Sequence, residues 1–76
     1  MSTLDRLLDL VARRFSVERG MLRPDDDVFE KLGIDSMQVM SMLSDLELEF
    51  GVEVPDYELR DVRTFEQLAA CIDRRL

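Results

Sequence analysis

Gly33-Ile34-Asp35-Ser36-Met37-Gln38-Val39-Met40-Ser41-Met42-Leu43-Ser44-Asp45-Leu46-Glu47-Leu48-Glu49-Phe50-Gly51 marks both of its own ends. Gly33 breaks the segment before it, Asp35 or Ser36 supplies an oxygen to cap a first helical turn, and Gly51 suits the left-handed conformation that commonly closes a helix. The spacing predicts a helix over residues 36–50. With Ser36 at zero and about 100° per residue, Leu46, Val39, Phe50 and Leu43 fall between about 280° and 340°, a core-facing stripe. Met40, Met37 and Leu48 fall between about 40° and 120°, on the flank beside Ser36 and Glu47. That flank has two readings: methionines filling gaps in a thin core, or an exposed apolar patch suited to docking.

Working outward, Leu4, Leu7, Leu8, Val11 and Phe15 keep helical spacing, and Ser2 with Asp5 resembles a capping pair, so residues 3–15 read as an amphipathic helix. Thr64 with Gln67 is a second capping signature, and Phe65, Leu68, Ile72 and Leu76 fall on one stripe, which predicts a closing helix over 65–75. Pro55-Asp56 interrupts the chain, leaving residues 56–61 room for a turn or two of helix. Residues 16–35 form a connection too long to be structureless in so small a domain. Val17, Met21, Leu22, Val28, Phe29, Leu32 and Ile34 are its expected anchors, with a helical turn near Asp27 to Lys31. No convincing alternation of apolar and polar residues appears, so no strand is expected. The expected architecture is all-α: a four-helix bundle with three longer helices, one short helix and a long first connecting loop, forming one domain over residues 1–76.

The chain has 76 residues, 46% of them hydrophobic and 36% charged, enough for one small domain with a thin core. At this size folding buries only about 60% of the surface that the unfolded chain exposes. No transmembrane or secretory segment is expected, because the apolar runs fall far short of the roughly 18 residues that span a bilayer. A lone cysteine, Cys71, favours a reducing, cytoplasmic setting, and its place at the edge of the last stripe suits a small, buried, inert thiol. Histidine is absent, which excludes Ser-His-Asp and Cys-His chemistry. The net charge of −7 is uneven: residues 25–61 hold twelve acids against Lys31 and Arg60. Such a block repels nucleic acid and anionic lipid and attracts basic protein patches. Asp25-Asp26-Asp27 lacks the spaced oxygens, central glycine and terminal glutamate of a calcium loop and reads as a solvated turn.

Ser36 carries the most chemistry. No base stands near it in sequence and the Gly-x-Ser-x-Gly elbow is missing, so it is not the nucleophile of an enzyme. A serine at a helix start is most often a cap. A helix N-terminus also stabilises a phosphate through its orphan amides and dipole, so the position can accept a phosphorylated group.

The stretch Asp27-Val28-Phe29-Glu30-Lys31-Leu32-Gly33-Ile34-Asp35-Ser36-Met37 resembles the acyl carrier protein family, whose signature runs through Leu-Gly-x-Asp-Ser-Leu. The likeness continues through Leu46-Glu47-Leu48-Glu49-Phe50-Gly51-Val52-Glu53-Val54-Pro55-Asp56, which is similar to the acidic helix end and Ile-Pro-Asp turn of those carriers, and it covers nearly the whole chain. The resemblance implies that Ser36 bears a 4'-phosphopantetheine arm, taken from coenzyme A, with Asp35 beside it. The arm's thiol holds an acyl group as a thioester. It further implies a carrier that is not an enzyme and works as a monomer. Its partners are then a phosphopantetheinyl transferase, acyl- or aminoacyl-loading enzymes, and downstream synthases with basic docking patches. Met37, Met40, Glu47 and Leu48 match the partner-binding region. Gln38, Ser41 and Leu48 stand where carriers of fatty acid synthesis commonly have acids, which points to polyketide or other specialised acyl transfer. Asp35 stands against a carrier of nonribosomal peptide synthesis, which more often shows Gly-Gly-x-Ser. An unmodified helical adaptor is the reading from a different class.

Overall fold

A computed structural model describes residues 2–76, apart from the side chain of Asp56. Helix α1 spans Thr3–Phe15, α2 Val28–Leu32, α3 Ser36–Phe50, α4 Asp56–Leu59 and α5 Phe65–Asp73, and a single 3-10 turn lies at Arg19–Met21. The three longer helices are α1, α3 and α5, and no strand occurs among the described residues, so the all-α architecture stands. The first connection contains more helix than a loop. Its helical turn is the short helix α2, capped by Asp27, whose carboxylate accepts the Glu30 N–H at 3.0 Å.

The three sequence caps form as the side-chain chemistry requires. Ser2 Oγ accepts the Asp5 N–H at 3.1 Å, Thr64 Oγ1 accepts the Gln67 N–H at 3.2 Å, and Asp35 Oδ1 accepts the Gln38 N–H at 2.9 Å. In each case the residue three positions on reaches back to the capping residue's own N–H, satisfying two orphan donors at once. Gly33 and Gly51 close α2 and α3 at φ 63° and 69°, the left-handed region where a glycine meets no steric penalty.

One buried cluster holds the elements together. Leu7, Leu8 and Val11 of α1, Leu43 and Leu46 of α3, and Phe65, Leu68 and Ile72 of α5 lie at its centre, with α1 running along α5. Met42 is buried as well, so the buried arc of α3 is wider than the four-residue stripe, while Val39, placed in that stripe by periodicity, is half-buried. A helix flanked on both sides needs a broader apolar face than one lying on a single surface.

The first connection is pinned across the bundle. Leu22, Val28 and Ile34 are buried, and Val17, Phe29 and Leu32 are half-buried. Its backbone is laced to the start of α5: the Val28 N–H donates to the Arg63 carbonyl at 2.7 Å, Phe65 to Asp26 at 3.3 Å and Glu66 to Pro24 at 3.0 Å. Asp26 accepts the Arg23 N–H at 3.0 Å and Asp27 caps α2, so two of the three acids build the turn, while Asp25 is exposed. Met21 does not serve as an anchor; it closes the 3-10 turn and is 59% exposed. Leu76 is 61% exposed for a related reason: α5 ends at Asp73 in tight turns, with Arg75 N–H on the Ile72 carbonyl, so the helical step from Ile72 is not continued. Likewise α4 stops at Leu59, where the Val62 N–H turns back onto the Leu59 carbonyl.

Helix α4 is tied down by one side chain. Glu58 accepts from Arg75 at 2.9 Å and from the buried Cys71 thiol at 3.4 Å. The Arg75 hydrogen bond holds Glu58 below its ordinary 4.5, and burial pushes the Cys71 thiol up, away from the reactive thiolate. Asp27 is held below its ordinary 3.8, first by the Glu30 N–H and then by Arg63.

Two outcomes follow. Phe65→Ala should lose about 3–5 kcal/mol in a urea titration, because the ring is fully buried and leaves a cavity that this thin core closes poorly. In acid, the unfolded chain takes up protons at the ordinary values while folded Asp27 and Glu58 still resist. The stability they contribute is therefore complete above pH 4.5 and is lost as pH falls through 4.5 and 3.8 to the lower folded values. Urea midpoints measured across that range should show a shallower acid slope for Asp27→Asn than for the parent chain.

Candidate functional site

Four consecutive residues build the site. Gly33 ends α2, the buried Ile34 plugs the chain into the core, Asp35 caps α3 and Ser36 is the first residue inside that helix. Of the two residues able to cap, Asp35 does so. Its carboxylate takes the Gln38 N–H and its own N–H donates to Gln38 Oε1 at 3.2 Å. Ser36 is exposed, and no hydrogen bond among the described residues engages its hydroxyl.

The other serines of α3 contrast with it. Ser41 accepts from Arg14 at 2.9 Å, and Ser44 donates back to the Met40 carbonyl at 3.3 Å. Ser36 is thus the one α3 serine whose oxygen does no structural work among the described residues. The first-turn amides and the positive end of a helix dipole lie beside it, favourable surroundings for a phosphodiester. An exposed, unbonded hydroxyl fits the attachment of such a group.

Met37 is 82% exposed and Met40 41% exposed on the flank next to Ser36. Leu48 is 84% exposed but stands eight residues beyond Met40, about 12 Å along the axis, where it borders a groove with Leu10, Arg13 and Asp45. The three do not form one continuous patch. Glu47 is half-buried and its Oε2 accepts the Val54 N–H at 3.1 Å, tying the chain after α3 back to the helix. Asp45 is likewise engaged, in an ion pair with Arg14 from α1.

A cleft of about 390 Å³ opens beside Ser36, between α3 and the segment from α4 to α5. Val39, Leu59 and Val62 line its apolar part, and Arg60 and Arg63 stand at its edge. Sequence reasoning missed these arginines, although Arg60 is one of only two cations within the acidic block. Behind the cleft, the gap among Val28, Met42, Leu43 and Leu68 measures only about 30 Å³, about the volume of one water molecule in the liquid. Among the described residues no helix is long and apolar enough to cross a membrane.

Over residues 5–72 the chain matches the family model described as the phosphopantetheine attachment site. It is 31% identical over 74 residues to acyl carrier protein 1, chloroplastic, of Spinacia oleracea, covering 97% of this chain and 54% of that one. It is 30% identical over 63 residues to the acyl carrier protein of Syntrophobacter fumaroxidans, covering 83% and 78%. The acyl carrier protein of Helicobacter hepaticus is 29% identical over 73 residues, which cover 96% of each chain. The chain therefore spans about half the length of the spinach protein and nearly all of the Helicobacter one. Members of this family are carriers whose domain bears a 4'-phosphopantetheine prosthetic group. Because the match runs from the first helix to the last, it covers the whole helical arrangement and not a single motif, and the chain belongs to the acyl carrier protein family.

Proposed function

We propose that Ser36 is the residue that bears the arm and that residues 1–76 act as one carrier domain in polyketide or other specialised acyl biosynthesis. The observation that carries this reading is the exposed hydroxyl at the first position of α3, left unbonded because Asp35 does the capping. When bound, phosphopantetheine supplies a thiol on a long flexible tether, to which an acyl group is linked as a thioester. The chain's own residues do the rest. Asp35 and Gln38 fix the first turn of α3, so that the serine is offered at a rigid, accessible place to the transferase that modifies it. A tether anchored at a fixed point raises the local concentration of cargo at each docked enzyme.

Partners would meet the flank of α3. Met37 and Met40 supply short-range apolar contact next to the serine, with Leu48 as a separate contact further along the helix. The surrounding acids would steer loading enzymes and synthases that carry basic patches, while Glu47 supports the face from behind through Val54. The pathway assignment rests on that face: Gln38, Ser41 and Leu48 replace acids, and Asp45 and Glu47 are already engaged within the molecule. A monomer in the reducing cytoplasm agrees with the buried, unpaired Cys71 and the high acidity.

Three measurements test the reading. Incubation with coenzyme A and a broad-specificity phosphopantetheinyl transferase should raise the intact mass by one phosphopantetheine, and Ser36→Ala should show no gain. A gain in the alanine variant overturns the assignment, and no gain in either form favours an unmodified adaptor. Stability separates the two neighbouring residues. Asp35→Ala should lose about 0.5–2 kcal/mol with the cap, whereas Ser36→Ala should stay within about 0.5 kcal/mol of the parent chain. Identifying the thioester formed with candidate acyltransferases or adenylating enzymes then distinguishes acyl from aminoacyl cargo.

A further inference from the structure

The ten cations of this chain have distinct placements. Lys31 lies 3.8 Å from Asp26, and Arg14 pairs with Asp45. Arg63 and Arg60 stand at the edge of the cleft that Ser36 also lines. Arg63 is held there by a relay of contacts. Asp27 is fixed as the cap of α2 and accepts from Arg63 Nε at 3.2 Å, while the guanidinium lies over the Phe29 ring, 5.8 Å from its centroid. Only Nε is occupied by Asp27, so the two terminal amino groups of the fork, four of its five N–H donors, are left over from that pair. Arg60 follows α4 directly and reaches the same cleft, whose floor of Val39, Leu59 and Val62 is apolar.

A cationic rim above an apolar floor selects for an amphipathic anion. A planar guanidinium fork matches phosphate and carboxylate oxygens alike, and it binds them more strongly where neighbouring apolar surface lowers the local dielectric. The twelve acids of residues 25–61 repel the same group over the rest of that segment. We propose that this cleft binds an oxyanion carried on the arm at Ser36, with Arg63 and Arg60 as its cationic rim and Val39, Leu59 and Val62 as its floor. The inference rests on Ser36 being the attachment residue. Two sources of the oxyanion exist on such an arm: the phosphodiester at its root, or a carboxylate at the far end of an acyl group. In either case the two arginines are positioning residues that bias the arm toward α4.

The experiment compares the unmodified protein with protein loaded from coenzyme A, butyryl-coenzyme A or succinyl-coenzyme A, using nitrogen–proton correlation spectra that include arginine Nε–H signals. Loading should shift the Arg60 and Arg63 side-chain signals and the amides of residues 59–63 severalfold more than the remote Arg13 and Arg74. Shifts in all three loaded forms assign the phosphodiester, and shifts confined to the succinyl form assign a cargo carboxylate. R60Q keeps the Asp27–Arg63 pair and should reduce the shifts, and R60Q/R63Q should abolish those at 59–63 while leaving those at 34–38. Shifts restricted to residues 34–38 in every loaded form, or unchanged at 59–63 in the double variant, overturn the proposal. Intact mass separates the two levels: no mass gain removes the attachment reading with it, whereas a gain without shifts at 59–63 removes this proposal alone.

Discussion

The start of α3 sets a division of labour between two adjacent side chains. A helix that begins at the protein surface leaves amide donors in need of acceptors, and a serine at that point would ordinarily be drawn into the task. Here Asp35 accepts the Gln38 amide and Gln38 reaches back to the Asp35 amide, so the exchange is complete without Ser36. The serine inherits a rigid backbone and an exposed hydroxyl from a neighbour that does the structural work. Gly33 makes this possible by ending α2 in the left-handed region, and the buried Ile34 fixes where the turn emerges.

The rest of the molecule keeps that corner in place with little material. A core of this size leaves few apolar contacts to spare, and much of the definition comes from polar ties across the sequence. The connection between α1 and α3 is laced to the start of α5 through backbone bonds and the Asp27–Arg63 pair. Arg14 spans from α1 to Ser41 and Asp45 of α3, and Arg75, just beyond the end of α5, holds α4 through Glu58. These pairs are partly exposed, so each contributes modestly, and their common effect is to fix the register of short elements that packing alone would leave loose. Helix α4, with four residues and one principal tether, is the element with the least holding it.

Much of this was legible from residue order alone. The limits of α1 and α3 follow from amphipathic spacing bracketed by Ser2-Asp5, Asp35 and Gly51, and the sequence likeness around Ser36 supplied the candidate site. What escaped the reading depends on contacts between distant segments. Met21 and Leu76 have the spacing of anchors, but the local backbone turns them outward. Glu47 looks like a surface acid until the chain after Gly51 folds back and offers the Val54 amide. Met42 is buried because α3 is flanked on two sides, which no single-helix periodicity contains. The arginine rim could not be read at all, since Arg60 and Arg63 share a cleft with Ser36 only once the segment from α4 to α5 folds beside α3.

The flank of α3 consequently differs from what its acidic composition suggests. Three of the four acids in and just before this helix are engaged within the molecule: Asp35 caps it, Glu47 accepts the Val54 amide and Asp45 pairs with Arg14, which leaves methionine prominent on the surface beside the serine. The carrier role depends on one oxygen, and peptide mapping of the protein as its own cell produces it interrogates that oxygen directly. Trypsin cuts after Lys31 and Arg60, releasing a fragment of residues 32–60 that contains Ser36, Ser41 and Ser44. Fragmentation should locate a phosphopantetheine on Ser36 alone; a fragment without it, or one modified at Ser41 or Ser44, would contradict the account.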